Sequence, residues 1–318
     1  MPINVTIGQT CLFILVFQNL IYTLLMRYAR SRAGETFLPS SMMILSELVK
    51  LITCSIVLSS SIGLTEVSKT VRRNFYDSLK SCVPACIYLV QNRLLVAALS
   101  NLDAATFQVA YQLKLLTTAL FSRIFLQKPI SPMQWLALIL LFVGVSVVEP
   151  SSSVGRFQDK QNPSLGLFYV LSASFLSGFA SVYFEWLLKN SSKSLWFRNL
   201  ELAFPSLLIG IVTQRIFESD QLNQNGFFRG FDAIVWSLIA LHSFGGLLVA
   251  MVVKYANNML KGFACSMSIV LSCMFSVLFM DAEFSLRFMF GTVSVLVAVV
   301  LYSAYPPANP KVYSNHAE

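Results

Sequence analysis

Apolar residues run along this chain in blocks of about 20, separated by short polar stretches, a length that matches the width of a bilayer rather than one face of a soluble helix. Ten blocks reach that length, near 9–27, 37–60, 80–100, 104–126, 131–149, 164–188, 196–217, 232–253, 260–280 and 285–304. Each predicts an α-helix able to cross a membrane, so the expected fold is an all-α polytopic membrane protein with ten transmembrane helices. The longest connections are RYARSRAGET, the basic EVSKTVRRNFYDSLK, and EPSSSVGRFQDKQNPS. The last has the Pro, Ser and Gln content of a linker and falls near the midpoint of the chain. The tail PPANPKVYSNHAE is short and polar, and a disordered end is expected there.

The blocks also repeat. Lys114 opens KLLTTALFSRIFLQKPISPMQWLALILLFVGV, and Lys261, 147 residues later, opens KGFACSMSIVLSCMFSVLFMDAEFSLRFMFGTVSVLVAVV. Both read as a lysine, a small and hydroxyl-rich helix, a short polar turn and an apolar helix, and each forms the fourth and fifth blocks of its half. Five spans is an odd number, so the second half lies inverted relative to the first. The expected organisation is a first five-helix repeat over 1–150, a linker over 151–163, a second five-helix repeat over 164–305 and a cytosolic tail over 306–318. Inverted repeats are a signature of secondary transporters, whose substrate site lies near the midplane between the halves.

Composition agrees with the pattern. Of 318 residues 56% are hydrophobic and 12% charged, with a mean hydropathy of +0.67. A soluble domain carries roughly 25% charged residues, and one such domain could not bury this much apolar surface. The net charge of +8 is scattered through the connections with no basic stripe, which argues against a nucleic-acid partner. Lys and Arg fall unequally on the two sides: twelve on the side holding both termini and eight on the other, which predicts cytosolic termini. The opening MPINVTIGQT has no basic segment ahead of its apolar run, so no cleaved leader is expected. Cys11, Cys54, Cys82, Cys86, Cys265 and Cys273 all fall inside apolar runs, where they read as small apolar fillers rather than a disulfide framework.

Charges at membrane depth narrow the chemistry. A charged side chain there costs about 2.5–3.5 kcal/mol on insertion scales and calls for a partner or a cavity. The candidates are Glu47, Lys50, Arg93, Lys114 and Lys261. Glu47 and Lys50 are spaced i, i+3 and can pair on one helix; pairing and a role near substrate both remain open. Lys114 and Lys261 have no acidic residue within a turn on their own helices, and at matching positions of inverted halves they would converge on one cavity. Their counter-ion would then be a mobile anion such as phosphate. Snorkelling to the interface is the competing reading, easiest for Lys261 near a helix end. Tyr88, Gln91 and Asn92 in YLVQN line one face of the third span, and Phe107 and Tyr111 share the face of Lys114. Such a wall could stack a base and read its edge, or simply pack helices. No metal-ligand spacing, nucleophile elbow or phosphate-binding glycine loop occurs, so neither an enzyme nor a cofactor is expected, and His242 reads as a packing residue.

Four blocks carry a resemblance: NLDAATFQVAYQLKLLTTALFS (101–122), SGFASVYFEWLLK (177–189), SLWFRNLEL (194–202) and GGLLVAMVVKYANNMLKGFACSMSIVLS (245–272). Together they resemble the nucleotide-sugar transporters of the solute carrier 35A subfamily. TFQVAYQLKLLTTALFS and LFILVFQ look more like the UDP-galactose and UDP-N-acetylglucosamine members than the CMP-sialic acid ones, which carry Tyr at the position of Phe107. The resemblance implies a ten-span drug/metabolite transporter fold in Golgi or ER membranes. It also implies exchange of cytosolic UDP-sugar for luminal UMP by alternating access, with a homodimer as an allowed assembly. Carried over by position, Lys114 and Lys261 are phosphate-binding lysines. Tyr88, Gln91, Asn92, Phe107, Tyr111 and Asn199 line the nucleotide pocket, Lys254 matches a second lysine near the ninth span, and Glu47 and Lys50 match a charged pair near the sugar end. Arg93, Ser181, Trp186, Ala203 and Pro205 depart from the subfamily pattern and bear on which sugar is carried.

The rival readings are a CMP-sialic acid/CMP exchanger of the same fold, a membrane enzyme or scaffold, and a cation exporter, which would need an embedded carboxylate free of Lys50. The topology makes a direct prediction. The sequons Asn4-Val-Thr and Asn190-Ser-Ser would both face the cytosol, so endoglycosidase treatment of protein expressed in eukaryotic membranes should leave its electrophoretic mobility unchanged.

Overall fold

The computed structural model describes residues 2–31, 37–73, 75–102, 107, 110–148, 162–190, 193–279 and 286–305, so the expected tail and most of the expected linker (151–161) lie outside the described residues. All regular structure among the described residues is helical. In chain order the helices are α1 (Pro2–Ser31), α2 (Pro39–Ile62), α3 (Leu64–Arg73), α4 (Phe75–Leu79), α5 (Cys82–Asn101), α6 (Leu113–Phe125) and α7 (Pro132–Val148). They continue as α8 (Pro163–Lys189), α9 (Leu195–Phe217), α10 (Ser219–Asn225), α11 (Ala233–Tyr255), α12 (Asn258–Phe279) and α13 (Leu286–Ala304). Six stretches among the described residues are long and apolar enough to cross a membrane: Ile7–Met26, Pro39–Ile62, Tyr76–Asn101, Pro163–Lys189, Leu195–Phe217 and Ala233–Tyr255. The remaining expected spans are represented by α6, with 13 described residues, α7, with 17, and by α12 and α13.

Local chemistry sets the helix ends. α1, α2, α7 and α8 begin on proline, which lacks the N–H that a first turn would leave unpaired. The Ser194 side chain caps α9 by accepting from the Phe197 N–H at 3.2 Å, and Asp232 caps α11 by accepting from Val235 at 3.0 Å. Inside the helices, hydroxyls satisfy themselves on the preceding turn: Ser46 donates to the Met42 carbonyl at 2.8 Å and Thr53 to Val49 at 2.8 Å. This is how a polar side chain survives where no water is present.

The chain forms two compact units, each drawing on both ends of the sequence. One comprises residues 1–89 and 187–256, the other 90–186 and 257–318. In the first, α2 packs most extensively on α9, and α11 packs on α1 and α2 around Met42, Val235, Leu238 and Ile239. Its polar joints are buried. Gln214 donates to Ser41 at 2.7 Å, and the Ser243 hydroxyl is 2.9 Å from the Ser46 carbonyl. A charge network ties α4 to α9: Arg198 reaches Asp77 and Glu201 at 2.8 Å each, and Lys193 reaches Glu201 at 2.6 Å and Asp77 at 3.0 Å.

In the second unit α7 and α13 form the most extensive pair, with Leu138, Leu141, Val145, Val295 and Ala298 fully or almost fully buried. The helices approach closely at Gly144, where a methyl group would meet the Gly291 carbonyl at 3.0 Å and Ser294 Cβ at 2.9 Å. α6 meets α8 in a similar way. The Thr117 hydroxyl donates to the Ser174 carbonyl at 2.9 Å, and a Cβ on Gly178 would stand 2.5 Å from that hydroxyl and 2.9 Å from the Thr117 carbonyl carbon. Gly178→Ala should therefore force α6 and α8 apart and lose that bond. A loss of about 1–3 kcal/mol is expected for such overpacking, read as a fall in the thermal midpoint of purified protein.

Candidate functional site

The second unit gathers six of the residues expected to touch substrate: Gln91, Asn92, Phe107, Tyr111, Lys114 and Lys261. Lys114 stands in the first turn of α6, and Phe107 and Tyr111 are helical just ahead of it. One and two turns of helix thus place two rings and an ammonium along one side of the chain. The Phe107 and Tyr111 rings stack with centroids 5.9 Å apart and planes 20° apart. The Lys114 ammonium lies 4.1 Å from the Tyr111 centroid, a cation–π distance. From α5, Gln91 Nε2 donates to the Tyr111 hydroxyl at 3.0 Å. That bond uses the amide nitrogen and leaves Gln91 Oε1 buried with no partner among the described residues. Asn92, next along α5, is exposed.

Lys261 lies in the first turn of α12. The residue after each lysine marks the closest approach of their helices: a Cβ on Gly262 would sit 2.9 Å from a Leu115 methyl. Gly262 thus removes the side chain that would hold α12 away from α6. Among the described residues neither Lys114 nor Lys261 has an ion-pair partner. An ammonium group with no ion-pair partner can receive an anion, and the point charge of a lysine suits phosphate.

The other five residues lie in the first unit. Glu47 and Lys50 pair at 2.6 Å, as their i, i+3 spacing allows, and Glu47 Oε2 is buried with no partner among the described residues. Lys50 lies flat along α11, where a Cβ on Gly246 would meet its ammonium at 3.1 Å. Asn199 is buried and donates from Nδ2 to the Leu195 carbonyl one turn back at 2.9 Å, an arrangement a packing residue would also show. Lys254 points toward the ring of its neighbour Tyr255, 6.0 Å from the centroid, and Tyr88 is half-buried on α5. His242 packs against Tyr22 with ring centroids 5.5 Å apart, a ring contact where packing was expected. Among the described residues no group of three His, Cys, Asp or Glu side chains could hold a metal, and the five described cysteines are free thiols.

Two carboxylates escaped the reading of charge along the chain. Glu185 is completely buried on α8; its Oε1 accepts from the Lys128 ammonium and its Oε2 from the Asn258 N–H at 3.3 Å, at the start of α12. Glu201, buried on α9, accepts from Ser78, Lys193 and Arg198. A signal existed for both. VYFEWLL and RNLEL each place a glutamate inside an apolar run, and such a group has to find a cation in the fold.

Comparison with known proteins agrees with this chemistry. The family profile described as nucleotide-sugar transporter matches residues 4–303. The chain is 40% identical to the UDP-N-acetylglucosamine/UDP-N-acetylgalactosamine transporter nstp-4 of Caenorhabditis elegans, over 94% of each chain. It is 40% identical to the human UDP-N-acetylglucosamine transporter, covering 93% of this chain and 96% of that one. It is 43% identical to the human UDP-galactose translocator, covering 92% of this chain and 76% of that one. A solved crystal structure superposes on 96% of this chain and 97% of its own with a TM-score of 0.69 at 13% identity, which speaks to the fold alone. A match across nearly the whole length, with relatives 40% identical, makes this chain a member of the nucleotide-sugar transporter family.

Proposed function

We propose that this protein exchanges cytosolic UDP-sugar, UDP-galactose or UDP-N-acetylglucosamine or both, for luminal UMP across the Golgi membrane by alternating access. The observation that carries this reading is the Lys114–Lys261 pair: two ammonium groups on touching helices, without ion pairs among the described residues, beside the stacked rings of Phe107 and Tyr111. The lysines hold the phosphates that both exchange partners share. The base stacks on Phe107 or Tyr111. Gln91, whose nitrogen is committed to Tyr111, offers its buried carbonyl oxygen to a donor on the base edge, and uracil has one in N3–H. Tyr88, Asn92, Asn199 and Lys254 are assigned to the nucleotide, and Glu47 with Lys50 to the sugar, by their positions in the family pattern.

Ten spans in two inverted five-helix halves, 1–150 and 164–305, underlie this mechanism. Within the units, packing joins the second expected span to the seventh (α2 with α9), the fifth to the tenth (α7 with α13) and the fourth to the ninth (α6 with α12). Helices five spans apart meet again and again, as a two-fold relation between halves would produce. Strict exchange follows from charge. A carrier loaded at the lysines buries neutralised groups and crosses readily, whereas an empty one must bury a net positive charge.

Purified protein in liposomes provides the test. Radiolabelled UMP should enter vesicles preloaded with UMP or a UDP-sugar and should not enter vesicles loaded with buffer or CMP. Lys114→Ala should abolish uptake while leaving the thermal midpoint of the protein nearly in place, because that side chain has no ion pair to lose among the described residues. Uptake driven by CMP would move the assignment to the CMP-sialic acid branch, against the uridine chemistry of the relatives above. Near-normal exchange in Lys114→Ala would remove the lysine pair from the mechanism.

A further inference from the structure

The geometry points to Glu185 as the resident counter-ion of the phosphate site, a positioning residue that trims the cationic cluster to the charge of its substrates; this rests on the function proposed above. The carboxylate is completely buried on α8. One oxygen accepts from Lys128, and the other accepts from the Asn258 N–H, the first amide of α12. A negative charge at that amide is favoured by the helix dipole and anchors the turn on which Lys261 sits three residues later. Gly262, next to Lys261, packs against Leu115, next to Lys114, where an added Cβ would stand 2.9 Å from the leucine methyl. The cluster thus contains three lysines and one carboxylate, for a formal charge of +2.

That sum has a chemical meaning. A phosphate monoester carries about −1.5 to −2 near neutral pH, and the pyrophosphate diester of a sugar nucleotide has two ionised phosphates. Either exchange partner leaves the loaded cluster near neutral, the state that crosses a membrane at least cost. Lys128 is nearly a quarter exposed and draws part of the Glu185 charge away from the substrate lysines. The balance between Lys128 and Lys261 for that one carboxylate sets how tightly phosphate is held.

The test is a pair of variants with opposite expected signs. Glu185→Gln keeps an acceptor for the Asn258 N–H and raises the cluster to +3. UMP should bind roughly tenfold tighter by calorimetry, from one unit charge acting at partly buried distances. Exchange should slow, because the loaded cluster keeps a net charge and releases UMP reluctantly. Lys128→Gln lowers the cluster to +1 and should weaken UMP binding by a similar factor. The double variant returns to +2 and should bind nearly as the wild type does. A purely structural role would weaken binding in both single variants and add in the double, which would overturn the inference. Should Lys128→Gln fail to fold, the sign for Glu185→Gln decides, and unchanged or weaker binding overturns it. Wild-type protein that binds no UMP would instead sink the proposed function itself, and this inference with it.

Discussion

Placing one ionised side chain at the centre of a bilayer costs about 2.5–3.5 kcal/mol on insertion scales, and charge in this chain is arranged around that constraint in three ways. Glu47 and Lys50 neutralise each other on one helix at 2.6 Å. Asp77, Lys193, Arg198 and Glu201 neutralise one another between α4 and α9, with the buried Arg198 bridging the two carboxylates. Lys114 and Lys261 are treated differently. Their helices pack together at Leu115 and Gly262, and neither lysine has an ion pair among the described residues. A protein built only for stability would gain nothing from that arrangement, because like charges repel and burial adds to the penalty. The contrast between the closed network and the two lysines without ion pairs is the basis on which an anion site is proposed there.

Small residues and returning hydroxyls make the open pair mechanically possible. Gly262 admits α6 against α12, and Gly178 admits it against α8, so the lysine-bearing helix is gripped on two sides at its own first turns. Thr117 and Thr118 both return their hydroxyls to the Lys114 carbonyl, at 3.1 and 2.6 Å, and Thr117 also reaches across to Ser174 at 2.9 Å. The backbone that carries the charge is therefore held, while the ammonium rests against the Tyr111 ring with no ion pair among the described residues. Transmembrane packing driven by close backbone approach, rather than by a hydrophobic effect absent from lipid, gives this rigidity. The Gln91–Tyr111 bond orients the aromatic wall in the same manner, by spending one half of an amide on a neighbour and leaving the other half available.

Much of this was written in the order of residues along the chain. The length of the apolar blocks dictates membrane helices, because only a helix satisfies its own backbone in lipid. The i, i+3 spacing of Glu47 and Lys50 dictates their pairing, because helical periodicity alone brings those side chains together. The spacing of Phe107, Tyr111 and Lys114 likewise forecasts a shared face, and the rings do stack with the ammonium beside them. Lysine without a local acid announced a need for an anion.

What no one-dimensional pattern could supply is which distant groups meet. Lys114 and Lys261 are 147 residues apart, and the packing of α6 on α12, with Gly262 against Leu115, joins the helices that carry them. Glu185 and Lys128 are separated by 57 residues, and Arg198 and Asp77 by 121, so each pair exists only because three-dimensional packing joins separate helices. Asn92 shows the converse: its place in YLVQN suggested a wall residue, yet within its unit it is exposed while its neighbour Gln91 is buried. The sequence by itself determined the solvent this protein lives in and the charges it must resolve, because those depend on composition and helical period. Tertiary structure alone decided which charges pair and which have no ion-pair partner among the described residues, because electrostatic pairing depends on distance through space and not on distance along the chain.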